Sequence, residues 1–196
     1  MENIDQAIQQ MLDEMISLRK ELHRFPEVGF CEHQTAATVS RYLHQLGFEV
    51  QTGIGGTGVI GILRGNSDGP TIALRACLDA LAMDEKSGVD YASQNKGVFH
   101  GCGHDGNMTF VLGAAKIVSQ QRHALRGNIK FIFQPSEEET GGAAEIIRAG
   151  GLRNPDVDAI FHLHNWHGIR QGVIAVVPGT VLASSDLFKI EIIGKP

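Results

Sequence analysis

The sequence has 196 residues, 42% of them hydrophobic and 20% charged, with a formal net charge of −5. That length allows one domain with a substantial core, and the mixing of acids and bases leaves no electrostatic footprint for nucleic acid. No apolar run approaches the roughly 18 residues of a membrane span, and the acidic start MENIDQAIQQMLDEM has no signal-peptide core, so a cytoplasmic protein is expected.

Apolar residues recur at helical spacing from Ile4 through Ile8, Met11 (or Leu12), Met15 and Leu18 to Leu22, which predicts an amphipathic helix ended by Phe25-Pro26. A second helix is expected from about Glu32 to Leu46, with Gly47 as its stop. Strands are predicted at 48–51, 59–63 and 71–76, the first two joined by a Gly-rich turn at 53–58. That turn has neither the lysine of a P-loop nor a dinucleotide fingerprint. A helix follows over 108–121, with Val111, Leu112, Ala115 and Val118 on one side. Residues 128–134, NIKFIFQ, form an apolar run expected to be a strand buried on both faces. A Gly-rich loop from Glu139 becomes a helix up to Ala149, and strands are expected at 159–165, 172–177 and in the closing LFKIEIIGKP. Strands alternating with helices predict a three-layer α/β sandwich around a central, mostly parallel sheet.

Three polar clusters fall just after predicted strands or in loops, where open α/β sheets build their sites. In HGCGHD (100–105), Cys102 and His104 flank a glycine that lets both side chains turn the same way. Thiolate and imidazole both bind divalent transition metals; Asp105 either ligates or orients His104 from behind. A buried cysteine beside a structural histidine is the alternative. In QPSEEE (134–139), three adjacent carboxylates repel one another unless a cation or solvent relieves them. A metal-assisted hydrolase needs one carboxylate as ligand and one as base, but for this stretch alone a solvated acidic helix N-terminus, favoured by the helix dipole, is the better account. In HLHNWH (162–167), His162 and His164 share a side if the segment is a strand. Each cluster alone admits a structural explanation; together they compose a mixed sulfur, nitrogen and oxygen metal site. His100 and His162 lie beside it without being ligands, and His23, His33 and His44 are expected at the surface of helices. Cys31, Cys77 and Cys102 are too few, and odd in number, for a disulfide framework.

These stretches resemble the M20 metallopeptidases, and within them the amidohydrolase branch of hippurate hydrolases, auxin–amino acid hydrolases and N-acetyl-diaminopimelate deacetylases. The resemblance runs through LRKELHRFPEVGF (18–30), GGTGVIGILRG (55–65), CGHDG (102–106), FQPSEE (133–138), LHNW (163–166) and FKIEIIGKP (188–196). It implies a zinc-exopeptidase-like fold and two divalent transition metal ions, Mn or Zn foremost and Co or Ni next. The implied ligands are Cys102, His104, Glu138 and His164. Glu137 is the implied general base, and Asp79 and Asp105 stand behind the ligands. The implied reaction is attack of a metal-activated water on the amide of a small N-acyl amino acid. Residues 1–187 would be the N-terminal part of the catalytic domain. Residues 188–196 would be a strand leading to a smaller domain that makes the full-length form a homodimer and adds a histidine to the site. A further histidine ligand is implied beyond this sequence.

The chain departs from the family pattern at Cys77 (usually Asp), Ala82 (usually Pro), Asn107 (usually His) and His167 (usually Pro). Cys77 either adds a thiolate to the site or packs as a small apolar group. Asn107 removes an imidazole, with consequences for proton transfer or for binding a substrate carboxylate. These departures frame two alternatives to the amidohydrolase reading: a relative without catalysis that acts through binding, and a true peptidase on the same fold.

Overall fold

A computed structural model describes residues 4–139, 141–181 and 188–194. In chain order it contains α1 (Ile4–Arg24), α2 (His33–Gln45), β1 (Glu49–Ile54), β2 (Gly58–Arg64), β3 (Ser67–Cys77), α3 (His104–Gln120), a 3-10 turn at Arg122–Ala124, β4 (Arg126–Gln134), α4 (Gly142–Arg148) and β5 (Ala159–His162). The strands form one five-stranded sheet in the order β1-β2-β4-β3-β5. β3 is parallel to β4 and β5, and β2 is antiparallel to β1 and β4. Only β2 therefore runs against the others, which gives the mostly parallel sheet expected from the alternation of elements.

The strands divide their side chains between two apolar layers, as the pleat requires. Val59 and Leu63 of β2 and Phe131 and Phe133 of β4 meet Met15, Leu18 and Leu22 of α1, Leu43 of α2 and Leu112 of α3. The alternate residues Ile60, Ile62, Ala73 and Ile132 face Ile146 of α4. Helices on both faces of the sheet make the three layers. Full burial of a side chain such as Phe131 stabilises the fold by roughly 1.5–3 kcal/mol. In α1 the buried stripe is Met11, Met15, Leu18 and Leu22, as predicted, while Ile4 and Ile8 are exposed.

Lys130 breaks the apolar pattern of β4 yet is only 1% exposed. Its ammonium donates to the carbonyls of Gly151, Arg153 and Pro155 at 3.0, 2.6 and 3.0 Å, which satisfies its three N–H donors. Burial pulls its pKa below the ordinary lysine value. This contact ties the turn at 150–156 to the sheet centre, and that turn leads into β5.

Parallel pairing explains why distant clusters converge. Cys77 at the end of β3 is in register with Gln134 at the end of β4, and Arg75 of β3 is in register with His162 at the end of β5. The residues just beyond these ends, Asp79, Glu137, Glu138 and His164, leave the sheet at one edge.

Two units divide the chain, Met1–Asn165 and Trp166–Pro196. All helices and strands among the described residues lie in the first. Among its described residues the second has neither, and Ile174, Val176, Phe188 and Ile192 are exposed. The strands predicted at 172–177 and over the closing segment are thus not formed among the described residues, because alternation supplies a strand's face but not the partner edge its backbone requires. Positions 187, 195 and 196 of that closing segment lie outside the described residues. β5 likewise stops at His162 rather than at 165. No helix among the described residues is long and apolar enough to cross a membrane.

Candidate metal centre

His104 opens α3 rather than sitting in a loop, because Gly103 takes a left-handed conformation (φ 83°) that caps the helix. A Cβ at Gly103 would also lie 2.2 Å from the Asn165 side-chain nitrogen, so the position needs glycine for space as well as for conformation. His104 is 1% exposed. Its Nδ1 donates to the backbone carbonyl of Asp79 at 2.8 Å and lies 3.4 Å from the Asp79 carboxylate. With the proton held on Nδ1, Nε2 carries the free lone pair, the form a metal ligand needs. Nε2 is 3.6 Å from Glu138 Oε1. Burial acts to depress the His104 pKa, and the Asp79 contacts outweigh it and raise the value above the ordinary one.

Asp79 serves two neighbours. Besides His104, it accepts the Glu138 backbone N–H on Oδ2 at 2.9 Å. Burial pushes its carboxyl up, but these partners win and hold it below the usual range. Cys102 Sγ lies 3.4 Å from His164 Nε2. The His104 and His164 rings are 5.8 Å apart, edge to face. Burial and the carboxylate of Glu138 push the Cys102 thiol up to about 12.

Two donor groups result: Cys102, His104 and His164, and His104, Glu137 and Glu138. Within each group the ligand atoms lie within 4.8 Å of one another, and His104 belongs to both. Glu138 Oε1 and Asp79 Oδ1 are buried without a hydrogen-bond partner among the described residues. A buried carboxylate oxygen with no donor is costly. A divalent cation held by these donors would give the Glu138 oxygen the partner it lacks. The residues present therefore fit a metal.

Asp105 points elsewhere. Its Oδ2 meets Arg19 Nε at 2.7 Å and His23 Nδ1 at 2.8 Å, and His23 Nε2 meets Glu85 at 3.1 Å. His23 is accordingly buried, 4% exposed, and not the surface residue its helix position implied. Its partners are 82 and 62 residues away in sequence, so no local signal marked it. His33 and His44 are exposed, as expected. His100 is buried with both ring nitrogens unpartnered among the described residues, and burial drops its pKa to about 4. His162 Nδ1 donates to the Arg75 carbonyl at 3.0 Å, and its ring lies edge to face 5.9 Å from that of His164.

The sequence profile described as peptidase family M20/M25/M40 matches residues 73–194. The chain belongs to this family. Among similar proteins, the N-acetyl-L-cysteine deacetylase of Bacillus subtilis is 40% identical over 182 residues, covering 93% of this chain and 43% of that protein. Thermostable carboxypeptidase 2 of Saccharolobus solfataricus is 39% identical over 197 residues, covering 99% of this chain and 50% of that protein. The crystal structure of the Bacillus subtilis YXEP protein, a dinuclear metal-binding peptidase from the M20 family, superposes with a TM-score of 0.76 at 38% identity, covering 81% of this chain and 44% of that one. The chain spans about half the length of the curated relatives it matches.

The departures from the M20 pattern acquire places in the fold. Cys77 is fully buried at the end of β3 and belongs to neither donor group; burial pushes its thiol up to about 12. It packs as a small apolar group. Asn107 is 1% exposed, and its Oδ1 accepts the Asn165 N–H at 3.2 Å. It thereby ties the segment bearing His164 to α3. Ala82 is exposed. His167, in the second unit, stacks on Trp166 with ring centroids 6.1 Å apart.

Proposed function

We propose that these residues hold two divalent transition metal ions and that the protein carrying them hydrolyses the amide bond of N-acyl amino acids. The observation that carries the reading is the meeting of two donor groups at one buried imidazole, His104. Cys102, His104, Glu138 and His164 are the assigned ligands. Sulfur, nitrogen and oxygen donors together suit Zn, Mn, Co or Ni. The relative with two metals and the deacetylase among the similar proteins support the assignment. Residues 1–187 belong, on this reading, to the metal-binding domain.

When bound, such ions polarise the scissile carbonyl and make water acidic enough to attack it. The chain's own groups supply the rest. Glu137 is exposed beside Glu138 at the mouth of the site, where it takes the proton of the attacking water and returns it to the leaving nitrogen. Asp79 keeps the His104 proton on Nδ1 and orients the Glu138 backbone. Asn107 holds the arm that carries His164.

Elemental analysis of the purified chain tests the site: transition metal is expected, and Cys102→Ser and Glu138→Ala should each lower the metal content. A chain that takes up neither Mn nor Zn would overturn the assignment. For the reaction, the protein carrying this segment is offered N-acetyl amino acids, hippurate and dipeptides. A carboxypeptidase reading is the second one, favoured by the 39% identity to a carboxypeptidase. Cleavage of dipeptides alone would establish it in place of the first.

A further inference from the structure

We propose that Glu32, outside both donor groups, is a positioning residue that sets the backbone of the Pro135–Glu138 turn and thereby the aim of Glu137 and Glu138. The inference rests on the metal reading above and adds a residue to it. Glu32 directly precedes α2 and is 0% exposed. Its Oε1 accepts the Ser136 backbone N–H at 2.8 Å, across 104 residues of sequence, and its Oε2 accepts the Thr57 hydroxyl. A carboxylate removed from water to this degree is retained only where its oxygens find donors. Here the donors belong to the turn that bears the metal-site acids and to the β1–β2 turn.

The turn needs such a hold. Ser136 has φ 46°, a left-handed conformation uncommon outside glycine. Two residues on, the Glu138 N–H is taken by Asp79. Buried carboxylates thus grip alternate N–H groups of the turn, at Ser136 and at Glu138. Gly29, three residues before Glu32, closes the space from below: a Cβ there would lie 2.5 Å from Ser136 Oγ. With Ser136 fixed, Glu137 and Glu138 follow in one direction from the end of β4, and His104 meets both.

Titration of the chain with cobalt(II), followed by absorption, separates the two donor groups. The thiolate-to-cobalt charge-transfer band reports the Cys102 side, and the remaining saturation reports the carboxylate side. Glu32→Ala is expected to weaken the carboxylate-side ion about 10-fold, the scale of a lost outer support, and to leave the thiolate band in place. Glu32→Gln should restore most of the affinity, because its amide oxygen still accepts from Ser136 and its NH2 can donate to Thr57. Gly29→Ala should reproduce the selective loss by displacing Ser136, and it keeps the proposal testable if Glu32→Ala does not fold. Variants that bind both ions as the parent does, or lose both equally as the unfolding midpoint drops, would overturn the positioning role alone. A parent chain without any thiolate band would overturn the metal reading, and this role with it.

Discussion

His104 and His164, whose rings lie 5.8 Å apart, are held by different kinds of support. His104 stands at the start of α3, buried, with Nδ1 fixed by Asp79 and the apolar layer of α1–α3 beneath it. His164 lies beyond the end of an edge strand, half-buried, with Nδ1 on the carbonyl of its own neighbour Asn165 at 2.6 Å. Its segment is tied to the fold through Asn107. Beside it, Ile160 and Phe161 of β5 are about half exposed on opposite faces of the sheet. The rear of the site is therefore organised by the core, and the front by a few polar tethers. Substitutions at the rear should cost both stability and metal, and those at the front should cost metal alone.

The largest expected effect lies between the two. Glu137→Gln should reduce kcat by about 10²–10⁴-fold, the usual contribution of a general base, while metal content stays that of the parent; loss of metal along with activity would make Glu137 a ligand instead. Next comes the rear. Asp79→Ala leaves the Glu138 N–H without its buried acceptor and takes the carboxylate from behind His104, and urea unfolding should register a loss of about 1–3 kcal/mol, together with both ions, because His104 is shared.

The front provides the contrast. His164→Ala should weaken the Cys102-side ion and shift stability by no more than about 0.5 kcal/mol. A destabilisation comparable to that of Asp79→Ala would erase the distinction. The smallest effect is a pH dependence. The Asp105 contact, against the opposing effect of burial, raises the His23 pKa above its ordinary 6.5. Stability from this group is complete below 6.5 and is lost as pH rises through the raised value. Asp105 is desolvated by burial but held low by His23, so its contribution fades at the acid end. Unfolding measured across neutral to mildly alkaline pH should therefore show a decline that His23→Gln abolishes.

Much of this was legible in the residues themselves. The buried stripe of α1, the two-faced burial of β4 and the three polar clusters depend on periodicity and on donor chemistry, both of which are local. CGHD was readable as two donor side chains turned one way, but its place at the first turn of α3 was not, because a glycine-rich stretch reads as loop until Gly103 is seen to cap the helix. The alternation in 172–177 and 188–194 read as strand, and no strand forms there among the described residues.

By itself, then, the sequence determined which side chains are able to ligate, which faces are apolar and which family pattern they follow. Tertiary structure alone decided that Asp79, not Asp105, supports His104, that His23 is buried, and that Glu32 holds the turn of the acids. Hydrogen bonds and burial are properties of pairs, and these partners lie between 25 and 104 residues apart along the chain.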